Sequence, residues 1–157
     1  MTVVAEQARL AVEVTKAVRV PVPPALVRTV LARAASLREV EARLPEGESS
    51  IAVRITGDRE LRRLNRLYAG DDSATDVLSF AGTGDHLGDI AISWTRVAHQ
   101  AAEYGHPVVP ELALLCIHGM LHLLGWDHAT AAERKEMSRL TLAALELSDL
   151  RLAPGRL

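Results

Sequence analysis

The chain has one cysteine, Cys116, in 157 residues. That excludes an internal disulfide framework and fits a reducing compartment. Aromatic residues make up only 3%, so a core must be assembled from Leu, Val, Ile and Ala. Lysine is nearly missing as well: Lys16 and Lys135 stand alone among the arginines. The net charge of −2 and pI of about 6.3 lack the basic surplus of a typical nucleic-acid-binding domain, although a local basic patch needs no such surplus. No apolar run approaches the ~18 residues of a membrane span. The opening MTVVAEQARLAVEV has no basic start followed by an apolar stretch, so no signal peptide is expected.

What is present, 48% hydrophobic and 24% charged residues, suits one soluble globular domain over 1–157. A domain of this size buries roughly 70% of its unfolded surface and needs no staple. RLAVEVTK alternates Leu10, Val12 and Val14 as a half-buried strand. After VPVPP, Leu26, Val30, Leu31, Leu37 and Val40 continue at helical spacing to about Leu44, and Pro24 suits the first helical turn. SIAVRIT (50–56) reads as a second strand, and Asp58 as the cap of a helix to about Tyr68. TDVLSF (75–80) and LGDIAIS (87–93) read as strands three and four. Helices follow over Trp94–Tyr104, 110–124 and 130–147, and LAPGRL at the end reads as frayed. This order predicts an α+β fold: a small mixed sheet of about four strands with helices packed on it.

HGMLHLLGWDH, residues 118–128, gathers three of the chain's six histidines. His118 and His122 share one helix face, about 6 Å apart along the axis. Gly125 is placed to end that helix in a left-handed cap, and the turn after it can return His128 to the other two. Three neutral imidazoles leave a fourth tetrahedral position open, the catalytic type of zinc site, where a bound water has a pKa near ~7. Asp127 is a candidate to orient a ligand imidazole from behind. The spacing H-x-x-x-H-x-x-G-x-x-H is that of metzincin peptidases, which carry a glutamate base directly after the first histidine. Here that position is Gly119, which cannot accept a proton, so the pattern keeps a metal cage without the peptidase base. His86, His99 and His106 are isolated and read as ordinary histidines, and Cys116 as a small buried hydrophobe.

The same stretch resembles the H-G-x-L-H-L-x-G-[YF]-D-H signature of the YbeY family of bacterial rRNA maturation factors, with Trp126 at the Tyr/Phe position. LNRLYAGDDSATDVLSF (64–80) and LGDIAIS (87–93) resemble two further family segments in the same order. The resemblance covers residues 64–128 and implies a metal-dependent, single-strand-directed endoribonuclease. It implies one Zn2+ on His118, His122 and His128, and work on the 3′ end of 16S rRNA and in ribosome quality control. The implied location is cytoplasmic, and the implied partners are ribosomal RNA and the ribosome, with ribosomal proteins or a ribosome-associated GTPase assisting, and no membrane. Two positions depart from the family pattern: Ala69 replaces an arginine thought to help cleavage, and Leu114 replaces a frequent histidine. No catalytic side chain is therefore assigned beyond the water on the metal. Arg59, Arg62 and Arg66 fall on one helix face, either as a solvated face or as an RNA-contacting stripe. Thr75, Asp76 and Ser79 either line the cleft or fix the local turn. Metal-activated water and the neighbouring 2′-hydroxyl both remain open as the nucleophile. The remaining alternatives are a catalytically impaired RNA- or ribosome-binding member of this fold and a metallohydrolase of metzincin-like spacing.

Overall fold

The computed structural model of the chain describes residues 9–157. The first eight residues, on which the no-leader expectation partly rests, lie outside them. Four strands form a mixed sheet: β1 (Leu10–Lys16), β2 (Ser49–Thr56), β3 (Val77–Ala81) and β4 (His86–Ser93), ordered β1-β2-β4-β3. β1 and β4 both run parallel to β2, and β3 pairs antiparallel to β4 at the edge. This is the α+β architecture that the alternation of elements predicts. Period-two spacing turns Ile51, Val53 and Ile55 of β2 to one face, where each is at most 1% exposed.

Packed on that face is α5 (Val108–Leu123), whose sequence is apolar on almost every side. A helix that is apolar all round belongs in the interior, and Leu112, Leu114, Leu115, Ile117, Met120 and Leu121 are all fully buried. Each contributes roughly 1.5–3 kcal/mol of transfer free energy, so the helix axis is firmly fixed. Around it lie α1 (Pro24–Ala35), α4 (Trp94–Tyr104) and α6 (Ala131–Leu147). On the other side of β2, Arg54 meets Glu60 of α3 (Asp58–Leu64) at 2.7 Å. No described helix is long and apolar enough to cross a membrane.

Several local expectations are corrected. The helix read from Leu26 to Leu44 is broken: α1 stops at Ala35, and a single turn, α2 (Arg38–Glu41), follows an extended Leu37. The Ser36 hydroxyl donates to the Arg33 carbonyl at 2.6 Å, a local bond that competes with helix continuation. Asp58 is the first helical residue and not the cap, a position that Gly57 holds. Its carboxylate accepts instead from the Ser93 hydroxyl at 2.6 Å and from Arg96 Nε at 3.3 Å, tying α3 to the start of α4. The second half of the predicted 58–68 helix is a wider π-helical turn, Asn65–Ala69. Buried Asn65 reaches across it to donate to the Ser73 carbonyl at 3.1 Å. The segment read as frayed, LAPGRL, is instead docked: Arg156 forks onto Glu111, and the Ala153 N–H donates to His106 Nδ1 at 2.9 Å. A fully buried carboxylate requires such a partner, and the tail supplies it.

Candidate metal centre

His118 and His122 lie on consecutive turns at the end of α5. The turn that follows carries the bonding pattern of a Schellman cap. Gly125 adopts φ +96°, its N–H donates to the His122 carbonyl at 3.0 Å, and the Trp126 N–H donates to the Leu121 carbonyl at 3.0 Å. Trp126 is buried and lies 3.7 Å beneath the Arg43 guanidinium, which also donates to the Leu124 carbonyl. The far end of the loop is held by a capping box, with Thr130 and Glu133 satisfying each other's backbone N–H groups. Arg134 adds bonds to the His128 and Ala129 carbonyls at 3.4 and 3.3 Å. Pinned at both ends, the loop returns His128 to His122, and their rings meet edge-on at 4.8 Å between centroids.

These side chains open onto a cleft of about 620 Å³ lined by His118, His122, His128, Thr75, Asp76, Ser79, Arg134 and Arg156, among others. The donor atoms of His122, Asp127 and His128 lie within 4.8 Å of one another, a group that can hold a metal ion. His118 stands outside that tight group but faces the same cleft. Its Nε2 is buried and has no hydrogen-bond partner among the described residues. A buried imidazole nitrogen left unpaired is costly, and a divalent cation in the cleft would satisfy it. The three imidazoles therefore fit a metal. Asp127 is closer to the donors than a purely supporting role requires: its Oδ1 accepts the His128 N–H at 2.7 Å and lies 3.8 Å from His128 Nδ1.

Burial, reinforced by the nearby charges of His122 and Arg156, pushes the His118 pKa down to about 4. Burial and the charge of His128 likewise hold His122 below its ordinary value. Both rings therefore stay neutral near pH 7 and present lone pairs, as metal binding requires. The folded-state pKa of His118 lies below the ~6.5 of an unfolded histidine. In that interval the unfolded chain binds more protons, so stability falls as pH drops from 6.5 to 4. For the metal-free protein we expect a loss of about 3 kcal/mol from this group, seen as a falling urea midpoint across that window. A midpoint flat between pH 7 and 4 would contradict a neutral, buried His118.

The other residues singled out in the sequence separate cleanly. Arg59, Arg62 and Arg66 do come together, with Arg63, in a shallow groove of about 560 Å³. None of them lines the histidine cleft, and Arg62 is paired with Asp72 at 3.0 Å. Ala69 is exposed. Thr75, Asp76 and Ser79 do both things considered for them: they line the cleft and serve local structure, with Ser79 donating to the Gly119 carbonyl and Asp76 accepting from Gln100. Cys116 is fully buried, with its thiol pushed up to about 12 by burial. His106 is a satisfied core histidine between Glu111 and Ala153. His86 bonds Ser50 and Asp89, and exposed His99 lies 3.8 Å from Glu103. Sequence reasoning missed Arg134 and Arg156 in the cleft wall. Arg134, in the first turn after a capped helix start, had a signal, whereas Arg156 had none.

Comparison with known proteins completes the picture. The family model described as Endoribonuclease YbeY matches residues 14–148. A protein named Endoribonuclease YbeY from Roseiflexus castenholzii is 48% identical over 117 residues, covering 65% of this chain and 74% of the relative. One from Chloroflexus aurantiacus with the same name is 51% identical over 108 residues, covering 61% and 70%. The solution structure of a Thermotoga maritima protein shares the fold, with a TM-score of 0.60 and 22% identity over 94% of this chain and all of the other. With the match running from the end of β1 through the other three strands, the buried helix and the histidine turn, the chain belongs to the endoribonuclease YbeY family.

Proposed function

We propose that the chain is a zinc-dependent endoribonuclease that cuts single-stranded ribosomal RNA near the 3′ end of the 16S molecule and serves ribosome quality control. One Zn2+ per chain sits on His118, His122 and His128, and the partners are ribosomal RNA and the ribosome. The observation that carries the reading is the cleft itself: a buried imidazole nitrogen without a partner among the described residues, in a cleft shared with two further imidazoles, in a chain of an endoribonuclease family. When bound, a divalent ion there supplies Lewis acidity to a phosphoryl oxygen or to a water. The protein's own part is to hold three neutral donors in place, to fix His128 through Gly125, Trp126 and Arg134, and to place cationic side chains beside the strand. The arginine groove of Arg59, Arg62, Arg63 and Arg66 gives a second contact for RNA phosphates, outside the lining of the histidine cleft.

A second reading, an RNA-binding member with impaired catalysis, is favoured by Ala69 and by the fact that none of the groove's arginines lines the histidine cleft. One assay separates the two. A single-stranded 16S 3′-end fragment is incubated with wild type, His122→Ala and Ala69→Arg, purified identically and checked for metal content. Cleavage by wild type and loss in His122→Ala by at least about 100-fold, the scale of removing one transition-state stabiliser, supports the nuclease. Cleavage by Ala69→Arg alone supports the impaired binder. A 2′,3′-cyclic phosphate end would assign attack to the 2′-hydroxyl, and a 3′-hydroxyl end would assign it to water.

A further inference from the structure

Arg156 enters the histidine cleft from the C-terminal segment, beside Asp76 and His118. Its Nε donates to both Glu111 oxygens at 2.9 and 3.2 Å, and its Nη2 to Oε2 at 2.9 Å. Glu111 is itself fully buried, and its third contact is His106 Nε2 at 3.0 Å. The guanidinium also lies 4.9 Å from the centroid of the Tyr104 ring. Fork, carboxylate and ring together fix a group that would otherwise sweep a wide arc.

The fork uses one edge of the guanidinium. Among the described residues Nη1 has no hydrogen-bond partner. Glu111 is not part of the cleft wall, whereas Arg156 is, so the carboxylate that holds the fork lies behind the cation; Asp76, also in the wall, adds a longer-range charge without a hydrogen bond to it. The charge of Arg156 is also felt at His118, where it helps to lower the pKa. A rigid donor beside metal-type ligands is suited to an anionic oxygen, because it needs no reorganisation when charge arrives. A tail anchor alone would not require the cation to line the cleft.

We propose that Arg156 is a substrate-contacting residue, whose free edge takes a non-bridging phosphate oxygen of the RNA strand while Glu111 and His106 hold the guanidinium in place. This rests on the endoribonuclease reading above. The test uses the full, metal-loaded chain as wild type, Arg156→Gln and Arg156→Lys. Glutamine can still donate to Glu111 but carries no charge, and lysine keeps the charge. The probe is a labelled, fully 2′-O-methylated single-stranded RNA, titrated at rising salt and checked for integrity by gel. Thermal melting and metal content are read alongside.

Arg156→Gln is expected to weaken binding about tenfold at low salt. The slope of log affinity against log salt should fall by about 0.7, the value for one lost single-strand phosphate contact, with metal content unchanged. Arg156→Lys should keep the wild-type slope. If Arg156→Gln melts lower yet binds with the wild-type affinity and slope, Arg156 only anchors the tail and the proposal is overturned. If wild type neither binds this probe nor cleaves its unmodified counterpart, the endoribonuclease reading fails, and this proposal fails with it.

Discussion

His118→Ala is expected to abolish tight metal binding, lowering affinity by more than about 100-fold, while Asp127→Asn lowers it by only 10- to 100-fold, the range for a partner that orients a ligand. The two residues compete for the third place in the donor set. Asp127 has proximity, since its carboxylate oxygen lies within 4.8 Å of the His122 and His128 donors. His118 has chemistry: its Nε2 is buried and has no partner among the described residues, and burial pushes the ring's pKa down to about 4. Asp127 already spends one oxygen on the His128 N–H at 2.7 Å, a bond that an asparagine oxygen can also accept. Competition against a chromogenic chelator, with stoichiometry by elemental analysis, reads both variants without recourse to activity. The reverse ranking would assign the ion to His122, Asp127 and His128 and leave His118 as a buried histidine of the cleft wall.

The parts of this site that were legible in the sequence are those carried by short-range geometry. Two histidines four apart on an apolar stretch must share a helix face, and a glycine two residues past that helix must turn the chain. Both statements need only local rules, and the cap at Gly125 follows them. The strands were legible for the same reason, because period-two alternation in VEV and IAVRI admits only one face to the core. What escaped notice depended on distant partners. Nothing in LAPGRL announces that Arg156 will meet Glu111, forty-five residues earlier in the chain. Nothing in PELALL says that its glutamate will be fully buried and require a cation. The break after Ala35 was also hidden, because a serine is tolerated in many helices and only the bond it makes, here to Arg33, decides the outcome. The arginines of the stripe share one groove, but that none of them lines the histidine cleft is a tertiary fact that spacing cannot supply.

Gly119→Glu, which installs the residue a metzincin carries at that position, is expected to destabilise the fold by at least about 3 kcal/mol and to yield no peptidase. Gly119 is buried against the sheet and does not line the cleft. A Cβ there would stand 2.7 Å from Ile90 Cγ2, 3.0 Å from Cδ1 and 3.1 Å from Cγ1. Ile90 is β-branched and 1% exposed, so it has little rotamer freedom with which to withdraw. Its strand is paired on both sides, to β2 and β3. Alanine at 119 isolates the steric part. Overpacking typically costs about 1–3 kcal/mol, offset by about 1 kcal/mol of helix propensity gained over glycine. Gly119→Ala should therefore lose roughly 0–2 kcal/mol in urea unfolding, and Gly119→Glu should lose more, because it also buries a carboxylate against the apolar side chain of Ile90. The helix would otherwise have to shift away from the sheet, taking His118 with it and breaking the 3.1 Å bond from Ser79 to the Gly119 carbonyl. The glycine is thus fixed by the approach of helix to sheet, and the missing peptidase base is a consequence of that packing. A Gly119→Glu protein with a wild-type midpoint would show that this wall yields, and a peptide-library digestion would then decide whether the relocated carboxylate has reached the cleft.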